Sequence, residues 1–205
     1  MITVYGIPKS RSSRVTWCLE ELELEYELKT VDISKGEHQS AEFLKVNPQG
    51  KIPVLIDGDF VVSESAAIVN YLCSIYDSTL IPHDFQQRAI YDQWSYFAMT
   101  ELEQPLWTMG KHRFALPEEY RTESVLETAN WEFQKALSSL SEGLGNKKFI
   151  LGEYFSAADI LIAHTLIWAL LFKREIPYEN INSYLNRCMQ REAFQNLKEK
   201  EGIHI

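Results

Sequence analysis

Apolar positions at Ile2, Val4 and Tyr5 mark a short strand that stops at Gly6-Ile7-Pro8, after which Val15, Cys18, Leu19 and Leu22 recur at helical spacing. Tyr26 to Ile33 alternates as a second strand does, and Ala41 to Val46 is a short helical stretch closed by Asn47-Pro48. The apolar runs Pro53 to Ile56 and Phe60 to Val62 are joined by Asp57-Gly58-Asp59, a hairpin signal, and Ser65 to Tyr76 follows with a helical pattern. The order βαβ then ββα predicts a mixed four-stranded sheet flanked by helices.

Beyond this the pattern changes. Asp77 to Gln87, with Pro82 inside it, reads as a linker, and no strand pattern follows. Helical spacing runs from about Gln86 to Met109 and from about Pro117 to Glu142; Gly143 and Gly145 interrupt it, and helices resume at Ser156. Two domains are therefore expected, an α/β domain over residues 1–80 and an all-α domain over residues 88–205. Phe155-Ser156-Ala157-Ala158-Asp159 is a capping box preceded by an apolar residue, which assigns Ser156 and Asp159 to folding.

Charge narrows the partners. Lys and Arg number 20 against 29 Asp and Glu, a formal charge of −9, and no basic patch stands out to draw a nucleic-acid backbone. With 45% hydrophobic residues, no apolar run of about 18 residues and no charged-then-apolar leader after Met1, a cytoplasmic protein is expected without membrane contact. Cys18, Cys73 and Cys188 are far apart and odd in number, which argues against a CxxC pair or a disulfide framework. The five histidines lack ligand spacing with acids or cysteines, so no metal site is expected.

Three segments carry candidate chemistry. Ser10, Ser12 and Ser13 sit with Lys9, Arg11 and Arg14 at the start of the first helix, where hydroxyl donors and the helix dipole can stabilise a thiolate; capping explains one serine, not three. A cis bond before Pro53 would turn the backbone groups of Ile52 outward for an extended peptide to pair with. Glu64-Ser65 opens a helix directly after a strand, so Ser65 is either an N-cap or the seat of a ligand carboxylate.

In this order and spacing, Ser10-Arg11-Ser12-Ser13-Arg14, Asn47-Pro48-Gln49-Gly50-Lys51-Ile52-Pro53-Val54-Leu55, Ser63-Glu64-Ser65-Ala66-Ala67-Ile68 and Phe155-Ser156-Ala157-Ala158-Asp159-Ile160 resemble the glutathione S-transferases over nearly the whole chain. The resemblance implies a thioredoxin-like first domain that binds glutathione, an all-helical second domain, and a cytosolic homodimer serving detoxification. It implies a cis Pro53, Ile52 pairing with the cysteinyl part of glutathione, Glu64 and Ser65 on the γ-glutamyl end, and Lys51 and His38 at the glycyl carboxylate, although His38 also reads as a solvated loop residue. The reaction would be attack of the glutathione thiolate on a hydrophobic electrophile, with glutathione as co-substrate and no further cofactor.

Ser10 matches the serine of the serine-type branches, and Ser12 is the alternative within the run. Tyr5 lies inside the first strand and matches a tyrosine-type residue only approximately, while Cys18 lies on the apolar stripe as a core residue. Tyr96, Met99 and Trp107 are the candidate wall of the second-substrate pocket. Two other readings stay open on sequence: a glutathione-dependent peroxidase or disulfide reductase, and a non-catalytic binding or regulatory protein on the same scaffold.

Overall fold

A computed structural model describes residues 1–76 and 79–203. Strands β1 (Ile2–Gly6), β2 (Tyr26–Thr30), β3 (Val54–Asp57) and β4 (Phe60–Ser63) form one sheet in the order β2-β1-β3-β4. β1 pairs parallel with β2, and antiparallel with β3, which pairs antiparallel with β4. This is the expected mixed four-stranded sheet. Helices α1 (Ser12–Glu21), α2 (Ala41–Val46) and α3 (Ser65–Ile75) connect it. Asp57 pairs with Phe60 across a two-residue turn in which Gly58 takes φ +61°, the left-handed backbone that a tight hairpin requires.

β2 ends three residues before the expected Ile33. Asp32 Oδ1 accepts from Ser34 N–H (2.9 Å), Ser34 Oγ (2.6 Å) and Lys35 N–H (3.2 Å), so its side chain bends the backbone away from the ladder. Val4, Val15, Trp17, Leu19, Leu55, Ile68 and Leu72 are buried in this part of the chain, as alternation in the strands and helical spacing in α1 require.

The remaining helices are α4 (Phe85–Phe97), α5 (Glu103–Gly110), α6 (Ser124–Leu144), α7 (Ala157–Leu171), α8 (Glu179–Met189) and α9 (Glu192–Glu201). The expected linker Asp77 to Gln87 has its first two residues outside the described residues, and α4 begins at Phe85, capped by Asp84 through the N–H groups of Gln86 and Gln87. The long stretch expected from Gln86 to Met109 widens into a π-turn over Ala98–Leu102, and a second π-turn, Lys111–Ala115, follows its end. Pro105, in the first turn of α5, offers no N–H to the carbonyl of Glu101, which lies within the first wide turn.

Gly143 does not interrupt α6, contrary to the sequence reading. A Cβ there would lie 2.1 Å from the Trp94 ring, so the glycine is the space into which α4 packs, and the helix stops at Gly145, whose φ is +53°. α7 is buried around nearly its whole circumference, and its capping box forms as expected. Asp159 accepts from Ser156 N–H (2.8 Å), Ser156 Oγ (2.7 Å), Ile150 N–H (2.8 Å) and Tyr184 OH (2.9 Å), while burial pushes its carboxyl above the usual range.

The chain divides into two compact units, the first containing Met1–Ile81 and the second Pro82–Met189. The pattern along the chain places residues 88–205 in one helical domain; the described residues from Gln190 on, including α9, pack with the first unit instead. Trp17 and Phe194 pack at a tilt of 51° with ring centroids 4.7 Å apart, and Arg191 grips Glu21 through two 2.7 Å bonds. Among the described residues no helix is long and apolar enough to cross a membrane.

Candidate active site

The turn after β1 is held by its own serines. Ser10 Oγ donates to the Ile7 carbonyl (2.7 Å), accepts from Ser12 N–H (3.1 Å) and lies 3.0 Å from Ser12 Oγ. Ser12 Oγ accepts from Ile7 N–H at 3.3 Å, and a Cβ on Gly6 would stand 2.4 Å from it. Ser12 is thus packed beneath the strand end with 1% of its surface exposed, whereas Ser10 is half-buried on the turn. Ser13 Oγ accepts from Lys9 N–H (3.0 Å), and Lys9 takes φ +63°.

One helical turn further, Arg14 is wholly buried and donates to Ser65 Oγ at 3.3 Å. That bond joins the serine turn to the start of α3. Ser65 is the first residue of α3 rather than its cap; Glu64 precedes it at φ +71°, with no capping bond from its side chain. Such a backbone costs about 1–3 kcal/mol in a residue with a Cβ and is held only where the surroundings impose it. The N–H groups at the start of α3 therefore sit beside a buried guanidinium, a positive environment suited to a carboxylate.

The Ile52–Pro53 peptide is cis. Ile52 lies outside the sheet ladders, and none of the backbone bonds found among the described residues uses its N–H or C=O. Asn47 organises the approach to it, with Nδ2 donating to the Lys51 carbonyl (2.7 Å) and Oδ1 accepting from Gln49 N–H (3.1 Å). Gly50, at φ +61°, brings this loop against the 36–39 turn, since a Cβ there would stand 3.0 Å from the His38 carbonyl. Lys51 is exposed; His38 is half-buried, and its Nδ1 is buried without a hydrogen-bond partner. In the second unit Tyr96 is 63% exposed on α4, and Met99 and Trp107 are half-buried on either side of Pro105.

The chain matches the family Glutathione S-transferase, N-terminal domain, over residues 1–74 and Glutathione S-transferase, C-terminal domain, over residues 104–192. It is 34% identical to Glutathione S-transferase 1 of Dianthus caryophyllus over 75% of this chain and 70% of that protein, and 33% identical to Glutathione S-transferase 2 of Anopheles gambiae over 82% and 80%. The chain belongs to the glutathione S-transferase family. A solved structure of the glutathione transferase URE2P6 from Phanerochaete chrysosporium in complex with oxidized glutathione superposes on this glutathione S-transferase with a TM-score of 0.88 at 28% identity, covering 98% of this chain and 96% of that one.

Within this glutathione S-transferase the structure brings together Ser10, Ser12 and Ser13 on one turn, ties that turn to Ser65 through Arg14, and sets His38 beside the loop that carries Lys51 and Ile52. Cys18 is buried, 3.6 Å from Cys73 sulfur to sulfur; the hydrogen bond with Cys73 and then burial push its thiol well above the ordinary value. It is a core residue of the transferase, as expected.

Two residues were missed. Arg14 stands in the serine motif with no role implied there, although it lies four positions before Cys18 on the buried face, where a charged residue needs a reason. Glu201 is buried against the serine turn, and one glutamate in a helix of mixed charge carries no signal in sequence.

Proposed function

We propose that this chain is a glutathione transferase in which the Ser10 hydroxyl stabilises the thiolate of bound glutathione for attack on the electrophilic carbon of a hydrophobic substrate. The carbon–sulfur bond forms as the leaving group departs with its electron pair, or as an activated double bond takes it up, and the thiol proton goes to water. Ordinary thiols titrate near ~8.5, and a depression of about two units corresponds to roughly 2.7 kcal/mol in favour of the anion. One or two charge-assisted hydrogen bonds supply that much.

The observation that carries Ser10 over Ser12 is the division of labour in the turn. Ser12 Oγ is enclosed beneath Gly6, where it accepts from Ile7 N–H and no ligand sulfur has room to approach, while Ser10 is half-buried on the turn and its hydroxyl proton can turn from the Ile7 carbonyl to a sulfur. Glutathione would pair with the Ile52 backbone, set its γ-glutamyl end at Glu64 and the Ser65 helix start above Arg14, and its glycyl carboxylate at Lys51 and His38. The buried, unpartnered His38 Nδ1 supports that last placement. Tyr96, Met99 and Trp107 would wall the electrophile, and Ser10, not a cysteine, at the turn favours transfer over disulfide reduction. A cytoplasmic homodimer completes the reading, supported by Phe60 and Val61, which are nearly half exposed on edge strand β4.

The test is turnover of an aromatic halide and of a hydroperoxide with glutathione, together with ultraviolet titration of the bound thiol. Ser10→Ala is expected to raise the thiol titration and lower kcat, and Ser12→Ala to lower thermal stability more than it moves the titration. An unchanged titration in Ser10→Ala overturns the assignment.

A further inference from the structure

Helix α9 ends in a carboxylate that reaches into the serine turn. Glu201, 8% exposed, accepts from Lys9 N–H (3.0 Å) and from Ser13 Oγ at Oε2, and from Thr16 Oγ1 (2.9 Å) at Oε1. Its donors are one backbone N–H and two hydroxyls, all within eight residues at the start of α1. The N–H it holds belongs to Lys9, whose left-handed backbone immediately precedes Ser10 and so sets the direction in which the Ser10 side chain leaves the turn. Ser13 N–H in turn donates to the Ser10 carbonyl at 3.0 Å, closing the loop around that residue.

α9 is tied to α1 along its length. The paired bonds from Arg191 to Glu21 hold its start, Phe194 packs at a tilt on Trp17 in its first turn, and Lys200 pairs with Glu20 at its end. Glu21 also accepts from Trp17 Nε1 at 3.1 Å.

We infer that Glu201 is a positioning residue of the transferase, using α9 as a brace to hold the Lys9–Ser13 turn so that the Ser10 hydroxyl points at the sulfur of glutathione. A carboxylate suits this task because one oxygen takes a backbone N–H and a hydroxyl at once and leaves the other oxygen for Thr16, which an amide of the same shape cannot do with its NH2 end. A helix remote in sequence thereby acts on the reacting group through two intervening residues, without touching substrate itself.

The inference rests on the Ser10 assignment, and the experiment separates the two. Glu201→Gln and Ser10→Ala are compared with the parent for thermal midpoint, for kcat and KM toward each substrate, and for the titration of bound glutathione. Glu201→Gln is expected to lower kcat about tenfold, the effect of losing one charge-assisted hydrogen bond, and to move the titration upward in the direction of Ser10→Ala, with KM for the electrophile unchanged. A folded Glu201→Gln with the parent's titration overturns the inference while leaving Ser10 in place if Ser10→Ala does shift. If Ser10→Ala is silent as well, both fall. Should Glu201→Gln not fold, Ser13→Ala and Thr16→Val each remove one donor to the same carboxylate; a partial upward shift in Ser13→Ala is expected, and an unshifted titration in both variants overturns the inference.

Discussion

Arg14 and Ser65 meet at 3.3 Å, guanidinium nitrogen to hydroxyl oxygen, with both residues buried. A cation enclosed at the start of α3 changes what that helix end can hold, because the charge adds to the unpaired N–H groups there.

Arg14→Met keeps most of the side-chain volume and removes the charge. Weakened binding of glutathione is expected, with KM for glutathione raised roughly tenfold, the scale of one hydrogen-bonded charge, and KM for the electrophile little changed. Steady-state kinetics with each substrate varied in turn checks this, and equal changes in both KM values would contradict it.

Gly50→Ala places a methyl group 2.3 Å from Gln39 Nε2 and 3.0 Å from the His38 carbonyl, on a backbone at φ +61°. Gln39 can swing aside and the carbonyl cannot. The strain of a left-handed residue with a Cβ is about 1–2 kcal/mol, and the loop carrying Lys51 and Ile52 must move away from His38. Isothermal titration with glutathione is expected to register weaker binding, accompanied by a lower thermal midpoint.

Gly143→Ala drives a Cβ into the Trp94 ring, 2.1 Å away. Overpacking of this kind costs about 1–3 kcal/mol, expected as a lower urea midpoint. Gly145→Ala, with no heavy atom but the Glu142 carbonyl near its Cβ, at 3.8 Å, loses stability through its φ of +53° alone. Trp94→Leu should relieve the first variant and not the second.

Asp159→Ala strips acceptors from Ile150, Ser156 and Tyr184 and is expected to destabilise by about 3–5 kcal/mol, as broken buried polar networks do. Because burial raises its carboxyl above the unfolded value, the folded chain keeps the proton to a higher pH than the unfolded chain does. Stability tied to that proton is fully present below the unfolded value and is lost as the pH rises through the folded one. Asp159→Asn cannot titrate, so the parent's advantage over it should shrink with rising pH; urea unfolding at two pH values measures that, and a constant gap would count against the raised carboxyl.

The hairpin at Gly58, the apolar stripe of α1 and the Ser156–Asp159 box were legible because each is local: a turn residue, a 3.6-residue period, a pair three positions apart. The early stop of β2 at Thr30 was not, since Asp32 competes with the ladder through its side chain, and the continuity of α6 through Gly143 was not, since a glycine is permissive in sequence and here is required by the Trp94 ring. By itself the sequence determined a four-stranded mixed sheet, a following helical segment and the serines, proline and Glu-Ser pair that nominate a glutathione site. Only the tertiary structure decided which serine is packed beneath Gly6, that Arg14 lies under Ser65, and that Glu201 reaches the turn from α9. Those choices depend on contacts between residues up to 192 positions apart, and such contacts leave no periodicity for a sequence to display.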